Sequence, residues 1–411
     1  MTEELRINFP RLQEDLNALS EIGRKADLGL YRMAFSAADM QARAWLTGRA
    51  TDAGLAVHQD GAANVCCRIG NSESPCVMTG SHMDTVPGAG HLDGALGVVC
   101  GLEALRCLKE QGVELARPVE LVAFTDEEGR FGGMFGSQAL SGKLSPESIH
   151  RACDLNGLCI TQAMADHGLN AQDALTAQRS PGSVHAFVEL HIEQGPVLDH
   201  AGASVGVVQA ITGLFKWNVR LLGVANHAGT TPMEMRRDAF QGLVEVGSAI
   251  ATVLERHGGT NSRATIGRVE LFPGAANVVP GKAEFTLEVR DTDPGVLIEL
   301  SHAFGAAISE IARKRGLVFE FDPLSEITPV ACHRRVIEAV TESVRSADIA
   351  YLDLPSGAAH DTQMMASIAP AGMIFVPSKE GRSHSPAEWT AWSDIETGAN
   401  VLLNTLRRLA S

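Results

Sequence analysis

The sequence predicts an α/β protein of two domains, one inserted into the other. Apolar segments of strand length alternate with helical segments toward both ends of the chain, and a middle stretch has the order β-α-β-β-α-β. In that ferredoxin-like α+β order the first and last strands are antiparallel neighbours, so the unit can enter and leave a host domain side by side. We assign residues 1–213 and 328–411 to the host domain and residues 214–327 to the insert.

The host domain is predicted to begin with helices and to continue with strands. Residues 11–56 are expected to be helical because Leu12, Leu16 and Leu19 share one face. The following elements are strands at 62–70 and 76–79, a buried helix at 94–111, a strand at 118–125, loops and short helices at 137–180, and a strand at 184–195. The second host segment is expected to hold a helix at 334–347, a loop at 354–361, a strand at 371–377 and a helix at 395–409.

The insert is bounded by hinges near Thr212-Gly213 and Thr328-Pro329. Its predicted strands and helices are 214–223 (strand), 232–257 (helix), 264–271 (strand), 282–290 (strand), 294–314 (helix) and 317–321 (strand). The pattern of apolar residues changes from the buried strands of the host to these longer, amphipathic elements, which is why we place a domain boundary there.

The composition excludes several classes of protein. The 411 residues include 34 Lys and Arg against 49 Asp and Glu, and the net charge of −15 argues against nucleic acid or a membrane surface as partner. The amino terminus does not resemble a signal peptide and no apolar run approaches the length of a membrane span, so we expect a cytoplasmic protein. The eight cysteines contain no CxxC pair, and we expect them to be reduced and packed.

Histidine and acidic residues stand where the predicted host strands end. They are His82, Asp93, Glu127 or Glu128, His191 and His384. In an open α/β sheet, ligands bind outside the carboxyl ends of the strands. Each residue taken alone has an ordinary structural explanation, such as a surface pair for His82 and Asp84 or a solvated acidic turn for Glu127 and Glu128. Five of them at one edge of a sheet favour a metal site.

The ligand types indicate which metals this edge would bind. Imidazoles and carboxylates without a thiolate suit Zn²⁺, Mn²⁺, Co²⁺ or Ni²⁺. Three histidines and two carboxylates exceed the needs of one open catalytic metal and fit two ions about 3.5–4 Å apart that share a carboxylate. Asp84 is expected to accept the second ring N–H of His82 and fix its tautomer. Of the two neighbouring glutamates, one would bind metal and the other would act as general base, because neighbours on an extended chain point in opposite directions.

Other polar residues suit contacts with a substrate. Gln194 follows the strand that carries His191, and His227 lies in a turn before a predicted helix. His227 could donate a hydrogen bond to a developing oxyanion, although a role in its own loop is the simpler explanation. Arg290 ends a strand and suits a carboxylate, but a salt bridge with Asp291 or Asp293 is an equal alternative.

Seven segments in this order resemble the M20 metallopeptidase superfamily, and more narrowly its amidases of hydantoinase/carbamoylase type. They are GSHMDTV at 80–86, HLDG at 91–94, EEGRF at 127–131, ELHIEQG at 189–195, NHAGTTP at 226–232, NVVPG at 277–281 and SHSPAE at 383–388. The likeness covers nearly the whole chain. It implies a zinc-aminopeptidase-like catalytic domain with an inserted lid and dimerisation domain.

The resemblance also implies roles for individual residues. It implies two divalent metal ions per subunit, either Zn²⁺ or Mn²⁺, with Co²⁺ or Ni²⁺ as alternatives. His82 and His191 would bind one ion, Glu128 and His384 would bind the other, and Asp93 would bridge them. Glu127 would be the general base. His227, Asn277 and Arg290 would come from the lid, and Gln194, Ser356, Gly357 and His360 would line the pocket. Relatives are homodimers through the lid, and an exposed edge strand of the insert offers a route to such pairing.

The resemblance predicts hydrolysis of a small ureido substrate that carries a carboxylate. The leading hypothesis is an N-carbamoyl-L-amino-acid hydrolase that yields amino acid, CO₂ and ammonia. Allantoate or ureidoglycolate amidohydrolase is the nearest alternative, a dipeptidase or aminoacylase is a more distant one, and a non-catalytic metal-binding protein belongs to another class. Two departures from the usual pattern are a shorter EEGRF turn and Ala359 in place of a usual glycine; neither falls on a predicted ligand.

Overall fold

The computed structural model describes residues 4–70 and 73–411 of the protein. Residues 1–3 and 71–72, which the sequence analysis places in the host domain, lie outside the described residues. The chain divides into two compact units, one formed by the residues up to Gln209 and from Cys332 onward, the other by Ala210–Ala331. The divisions lie four residues outside the predicted boundaries at 213/214 and 327/328.

Strands and helices alternate along most of the described chain. The strands are β1 (Ala56–Gln59), β2 (Val65–Ile69), β3 (Cys76–His82), β4 (Val119–Phe124), β5 (Val184–Ile192), β6 (Val205–Ile211), β7 (Gly213–Leu222), β8 (Asn226–His227), β9 (Arg263–Phe272), β10 (Val278–Val279), β11 (Lys282–Asp291), β12 (Val318–Ile327), β13 (Val330–Ala331), β14 (Tyr351–Ser356) and β15 (Ala371–Val376). The helices are α1 (Phe9–Glu21), α2 (Ala37–Asp52), α3 (Ala95–Glu110), α4 (Phe135–Leu140), α5 (Pro146–Arg151), α6 (Ile160–Ala165), α7 (Val197–Ala201), α8 (Ala239–His257), α9 (Pro294–Arg315), α10 (Arg334–Ser346), α11 (Asp361–Met365) and α12 (Trp392–Ala410).

The sheet of the first unit has four parallel strands at its centre. Its order is β1-β2-β4-β3-β5-β15-β6, and β14 also pairs with β6. Strands β4, β3, β5 and β15 run parallel, as the β3–β4, β3–β5 and β15–β5 registers show. All six residues of β4 and of β15 and all seven of β3 are buried, as expected for strands covered on both faces. The carboxyl ends of these four strands therefore meet at one edge.

Apolar helices cover this sheet. In α1 the predicted stripe of Leu12, Leu16 and Leu19 is buried, and Asn8 caps the helix by accepting a hydrogen bond from the Arg11 amide. Helix α3 is buried along almost its whole length, as its nearly continuous apolar sequence predicts. These helices and the inner strands form the largest hydrophobic core.

The second unit is a four-stranded antiparallel sheet with two long helices. The strand order is β12-β7-β11-β9, and the first and last strands of the unit, β7 and β12, are antiparallel neighbours as predicted. The sheet and the apolar faces of α8 and α9 enclose a separate core. Strands β12 and β9 form the two edges of this sheet.

Several predicted elements differ from the structure. The predicted helical region 11–56 consists of the two helices α1 and α2, and its last residue, Ala56, begins the short strand β1, whose mostly exposed residues give no apolar signal. Helix α8 begins at Ala239 rather than Pro232, because Asp238 caps it by accepting hydrogen bonds from the amides of Phe240 and Gln241. Strand β6 was not predicted, residues 354–356 of the predicted loop belong to strand β14, and β12 continues to Ile327 through a register shift near Pro323.

One helix among the described residues, α9, has the length and apolar composition that a membrane span needs. The sequence analysis expected no such segment. Its buried residues Leu297, Leu300, Phe304 and Ile308 belong to the core of the second unit. Since those side chains pack in this core, one face of α9 is accounted for by the fold of the second unit.

The expectation that all eight cysteines are reduced is wrong. Cys153 and Cys159 form a disulfide across a short loop of the first unit. The other six, Cys66, Cys67, Cys76, Cys100, Cys107 and Cys332, are free and buried, as predicted. Burial raises the pKa of Cys67 and of Cys332 to about 12, so these thiols remain protonated and unreactive at neutral pH.

Candidate metal centre

The parallel strands bring the predicted ligands to one edge of the sheet. His82 is the last residue of β3, and His191 is the penultimate residue of β5. Glu127 and Glu128 follow β4, and His384 lies in the segment after β15. Asp93 lies in the turn that leads from β3 into α3. The structure thus places all six side chains at the carboxyl ends of β4, β3, β5 and β15.

A first group consists of His82, Asp93 and His191, which are all buried. One carboxylate oxygen of Asp93, Oδ1, lies 3.7 Å from His82 Nε2 and 3.2 Å from His191 Nε2. The three side chains therefore offer one ligand atom each to a common point.

A second group consists of Asp93, Glu128 and His384. His384 Nε2 lies 3.2 Å from the other oxygen of Asp93, Oδ2, and 3.3 Å from Glu128 Oε2. Asp93 belongs to both groups and turns a different oxygen toward each. This is the arrangement expected of a bridging carboxylate between two cations.

Backbone carbonyls orient two of the histidine rings. His82 Nδ1 lies 3.0 Å from the carbonyl oxygen of Asp84, and His191 Nδ1 lies 2.8 Å from that of Ile192. Because a carbonyl oxygen only accepts, each Nδ1 carries a hydrogen, so Nε2 is the ring atom that each histidine offers to a cation. In the structure Nε2 of His191 accepts a hydrogen bond from the Gly94 amide at 3.1 Å.

The prediction that the carboxylate of Asp84 accepts the hydrogen bond from His82 is therefore wrong. Its carboxylate is 3.9 Å from His82 Nδ1, and the backbone carbonyl of the same residue fixes the ring instead. The carboxylate accepts hydrogen bonds from the amides of Glu127 (3.3 Å) and Glu128 (3.2 Å). Asp84 thus connects the strand end that carries His82 to the acidic turn.

Glu388 contacts the candidate site and was not assigned by the sequence analysis, although it lies in the SHSPAE segment. Its Oε1 accepts hydrogen bonds from the amides of Leu92 (2.8 Å) and Asp93 (3.1 Å). Ser383 Oγ donates to Asp93 Oδ2 at 2.8 Å. Burial and the nearby charge of Asp93 raise the pKa of Glu388 to about 7. The sequence offered no indication of this role beyond the presence of a glutamate in the SHSPAE segment, because its partners Leu92 and Asp93 are almost 300 positions away.

The side chains fit divalent cations. Burial alone would disfavour a charged His82, yet the carboxylates of Glu127, Asp84, Glu128 and Asp93 raise its pKa well above the usual range. Hydrogen bonds with Asp93 and Glu128 likewise raise the pKa of His384 to about 10. The cluster therefore attracts positive charge. Glu128 Oε1 is also buried without a hydrogen-bond partner among the described residues, which leaves a lone pair for a ligand.

Glu127 lies beside the ligands but outside both groups. Its Oε2 is 3.6 Å from His82 Nε2. Burial raises the pKa of Glu127 well above its usual range; His82 lowers it, and the neighbouring Asp361 and Glu128 raise it further. A carboxyl group with a raised pKa suits proton transfer at neutral pH.

The predicted pocket residues of the first unit lie near these groups. Gln194 Nε2 donates to Asp93 Oδ2 at 2.8 Å, whereas its Oε1 is buried without a partner among the described residues. His360 and Ser356 are buried and contact each other at 2.9 Å, and the His360 ring packs edge-on against His191 with centroids 4.6 Å apart. At Gly357 a Cβ would meet nothing within 4 Å.

His360 also belongs to a third group of residue types that bind metals, with Glu189 and His191. The oxygens of Glu189 already accept hydrogen bonds from Ser81 Oγ (2.8 Å) and from the amide and hydroxyl of Thr362 (3.1 and 2.6 Å). Burial lowers the pKa of His360 well below the usual range, so its ring is neutral. We therefore assign no ion to this third group.

The predicted lid residues do not lie together in the second unit. His227 is exposed on β8 and pairs with Val278, directly after Asn277. Arg290 lies at the far end of β11, where it pairs with Leu214, while Lys282 at the near end pairs with Leu222. Eight residues of strand separate the two ends by about 26 Å. Arg290 donates to Glu288 at 2.8 Å.

Known proteins resemble this chain over its full length. The family model for peptidase family M20/M25/M40 matches residues 78–408. The chain belongs to this family. An N-carbamoyl-L-amino acid amidohydrolase from Geobacillus stearothermophilus is 40% identical over 98% of this chain and 99% of its own. An allantoate amidohydrolase from Escherichia coli is 35% identical over 97% of each chain.

A solved structure has the same fold throughout. It is an amidase of the hydantoinase/carbamoylase family from Burkholderia multivorans, 33% identical, with a TM-score of 0.92 over 99% of this chain and 98% of that one. Members of the M20 family are metal-dependent enzymes, and the two residue groups that share Asp93 are this chain's candidate metal ligands.

Gly94 provides a test of the first group. Gly94 and Gly112 both have a positive φ, 62° and 61°, but a Cβ at Gly94 would lie 2.4 Å from His82 Nε2, whereas one at Gly112 would meet nothing within 4 Å. We expect Gly94→Ala to weaken metal binding by roughly 10–100-fold. Gly112→Ala, which also places a Cβ at a residue with positive φ, should bind metal like the wild type. Calorimetric titration with Mn²⁺ measures both, and equal affinities in the two variants would contradict the assignment of His82 as a ligand.

Proposed function

We propose that this protein is an amidohydrolase with a two-metal centre that cleaves the carbamoyl C–N bond of N-carbamoyl-L-amino acids. The products would be the amino acid, CO₂ and ammonia. The observation that carries the proposal is the carboxylate of Asp93, which faces His82 and His191 with one oxygen and His384 with the other. The 40% identity to an N-carbamoyl-L-amino acid amidohydrolase supports this substrate class.

In this proposal the first unit is the catalytic domain. His82, Asp93 and His191 would hold one divalent ion, and Asp93, Glu128 and His384 the other. Bound there, the ions would supply polarisation of the ureido carbonyl and a lowered pKa of the attacking water. Zn²⁺ or Mn²⁺ suits this set of imidazoles and carboxylates.

Glu127 would act as the general base. Its carboxylate lies beside His82 yet outside both ligand groups, so it remains available to the water and the substrate. It would take a proton from the attacking water and pass it to the leaving nitrogen. Gln194, whose Oε1 is buried without a hydrogen-bond partner among the described residues, would accept a hydrogen bond from a ureido N–H.

The second unit would be a lid and a dimerisation domain. Arg290 suits the substrate carboxylate, and His227 suits the developing oxyanion. Lys282 and Arg290 mark the two ends of β11, about 26 Å apart, and His227 follows the end at which Lys282 pairs with Leu222. One small substrate therefore cannot contact both Arg290 and His227 within one chain. We therefore propose that each active site takes Arg290 and His227 from two different chains of a homodimer, with Asn277 on the same chain as His227.

Exposed apolar side chains on the second unit support such pairing. Val269 and Phe272 lie on the edge strand β9, and Phe240 and Val244 lie on α8; all four are at least 39% exposed. An edge strand with free backbone groups and an apolar neighbour is a surface suited to pairing with a second copy.

Allantoate amidohydrolase is the second candidate function, favoured by the 35% identity to the Escherichia coli enzyme of that name. Both candidates use the same metal ligands and the same base, and they differ only in the ureido substrate that the pocket admits.

Ammonia release decides between the candidates. We expect Mn²⁺-loaded protein to hydrolyse an N-carbamoyl-L-amino acid at a higher kcat/KM than allantoate, ureidoglycolate, N-carbamoyl-D-amino acids or dipeptides. Removal of the metal by a chelator should abolish turnover, and Mn²⁺ should restore it. Preference for allantoate or ureidoglycolate would replace the substrate and leave the site residues in place. Turnover of dipeptides alone would contradict the proposal.

Mixed dimers test the contribution of two chains. We expect His227→Ala and Arg290→Ala to be nearly inactive when each is alone. After unfolding and refolding together in equal amounts, half of the dimers would be mixed, and each mixed dimer would contain one intact site, so activity should return to about a quarter of the wild-type value. Refolding either variant with itself is the control. No recovery in the mixture would show that both residues act within one chain or that the protein does not dimerise.

A further inference from the structure

Arg32 is a fully buried arginine without a carboxylate partner among the described ion pairs. Its Nε donates to the carbonyl of Met83 at 2.7 Å, and its Nη1 donates to the carbonyls of Leu19 and Ile22 at 2.9 Å each. The other deeply buried arginines of this unit differ, since Arg43 pairs with Asp39 and Arg106 with Asp15. Arg32 thus donates its side-chain hydrogen bonds to backbone carbonyls alone.

Such a residue is costly to keep. A buried charge loses its hydration, and only hydrogen bonds or ion pairs of good geometry compensate for this loss. Burial lowers the pKa of Arg32 to about 10, with the carboxylates of Asp39 and Asp84 opposing this effect, so the guanidinium remains charged at neutral pH. The contacts of Arg32 indicate which part of the structure it stabilises.

Arg32 holds the chain directly after His82. Besides the side-chain bond to Met83, the Arg32 amide donates to Thr85 Oγ1 at 3.0 Å, and the Thr85 amide donates to the Arg32 carbonyl at 3.1 Å. These three hydrogen bonds fix the backbone on both sides of Asp84.

Asp84 in turn contacts both parts of the candidate metal centre. Its carbonyl oxygen accepts a hydrogen bond from Nδ1 of His82, and its carboxylate accepts hydrogen bonds from the amides of Glu127 and Glu128. Movement of the Met83–Thr85 backbone would therefore rotate the His82 ring and displace the acidic turn together. The charge of Arg32 also offsets that of the buried Asp84 carboxylate, with which it interacts favourably.

We propose that Arg32 is a positioning residue of the metal centre, which aligns His82 and Glu128 by clamping the Met83–Thr85 backbone around Asp84. The inference rests on the proposed metal centre and adds to it a residue that touches neither ligand nor substrate. Arg32 has no place in either ligand group and stands 50 positions before His82.

The test compares Arg32→Met, Arg32→Lys and Arg106→Met in the full-length protein. Arg106 is the matched control, since it is also buried, and its loss leaves Asp15 without this partner on the far part of α3. Three quantities are measured for each: the melting temperature of metal-free protein, the dissociation constant for Mn²⁺ by calorimetry, and the visible absorption spectrum of Co²⁺-loaded protein, which reports the ligand geometry. None of them depends on the identity of the substrate.

We expect Arg32→Met to raise the Mn²⁺ dissociation constant by roughly 10–100-fold and to change the Co²⁺ spectrum. Arg106→Met should lower the melting temperature while leaving both metal readouts at wild-type values. Arg32→Lys keeps the charge but cannot reach three carbonyls, so its affinity should fall between those of Arg32→Met and the wild type. If Arg32→Met does not fold, a weakened affinity and an altered spectrum in Arg32→Lys carry the same conclusion.

Wild-type metal affinity and an unchanged Co²⁺ spectrum in a folded Arg32→Met or Arg32→Lys protein would overturn the role of Arg32. An equal loss of affinity in Arg106→Met would also overturn it, because the effect would then follow from general destabilisation. A wild-type protein that binds no divalent ion would refute the metal centre itself, and this role of Arg32 with it.

Discussion

The carboxylate of Asp93 is the interaction on which the candidate site depends. Its two oxygens face different sets of candidate ligands, and three neighbours restrain it: Glu388 accepts a hydrogen bond from its backbone amide, while Ser383 and Gln194 donate to Oδ2. Gly94, the next residue, leaves the space that the His82 ring occupies. A buried carboxylate held this firmly can keep its two oxygens aimed in two directions, which a mobile side chain could not do.

The fold supplies this arrangement by ending four parallel strands at one edge. The chain then turns sharply to direct side chains inward, and three non-glycine residues at these turns have left-handed backbones: Asp126 (φ 53°), Gln194 (φ 57°) and His384 (φ 54°). Such conformations are uncommon outside glycine and persist where surrounding contacts enforce them. Their occurrence after β4, β5 and β15 is consistent with a site in which the contacts of the side chains hold the backbone in an otherwise unfavourable conformation.

The sequence was informative where one strand and one side chain determine a position. His82, His191 and His384 could be placed because each follows a buried apolar segment, and parallel strands bring such ends together. Asp84 was harder, because the choice between its carbonyl and its carboxylate as partner of His82 depends on the path of the backbone. The roles of Glu388 and Arg32 could not be predicted for a different reason, since the residues that connect them to the site, Asp93 and Met83, are distant in sequence and no periodicity relates them. The separation of Arg290 from Asn277 required the register of β11 against β7, and the Cys153–Cys159 disulfide required the close approach of two ends of a loop.

Metal stoichiometry tests the shared role of Asp93 most directly. Bound Mn²⁺ per chain is counted by elemental analysis and calorimetry in the wild type, in Asp93→Ala and in His384→Ala. The account predicts two ions in the wild type, the loss of both in Asp93→Ala, and the loss of only one in His384→Ala, because Asp93 belongs to both ligand groups and His384 to one. A single ion in the wild type, or an Asp93→Ala protein that keeps one ion at wild-type affinity, would contradict it.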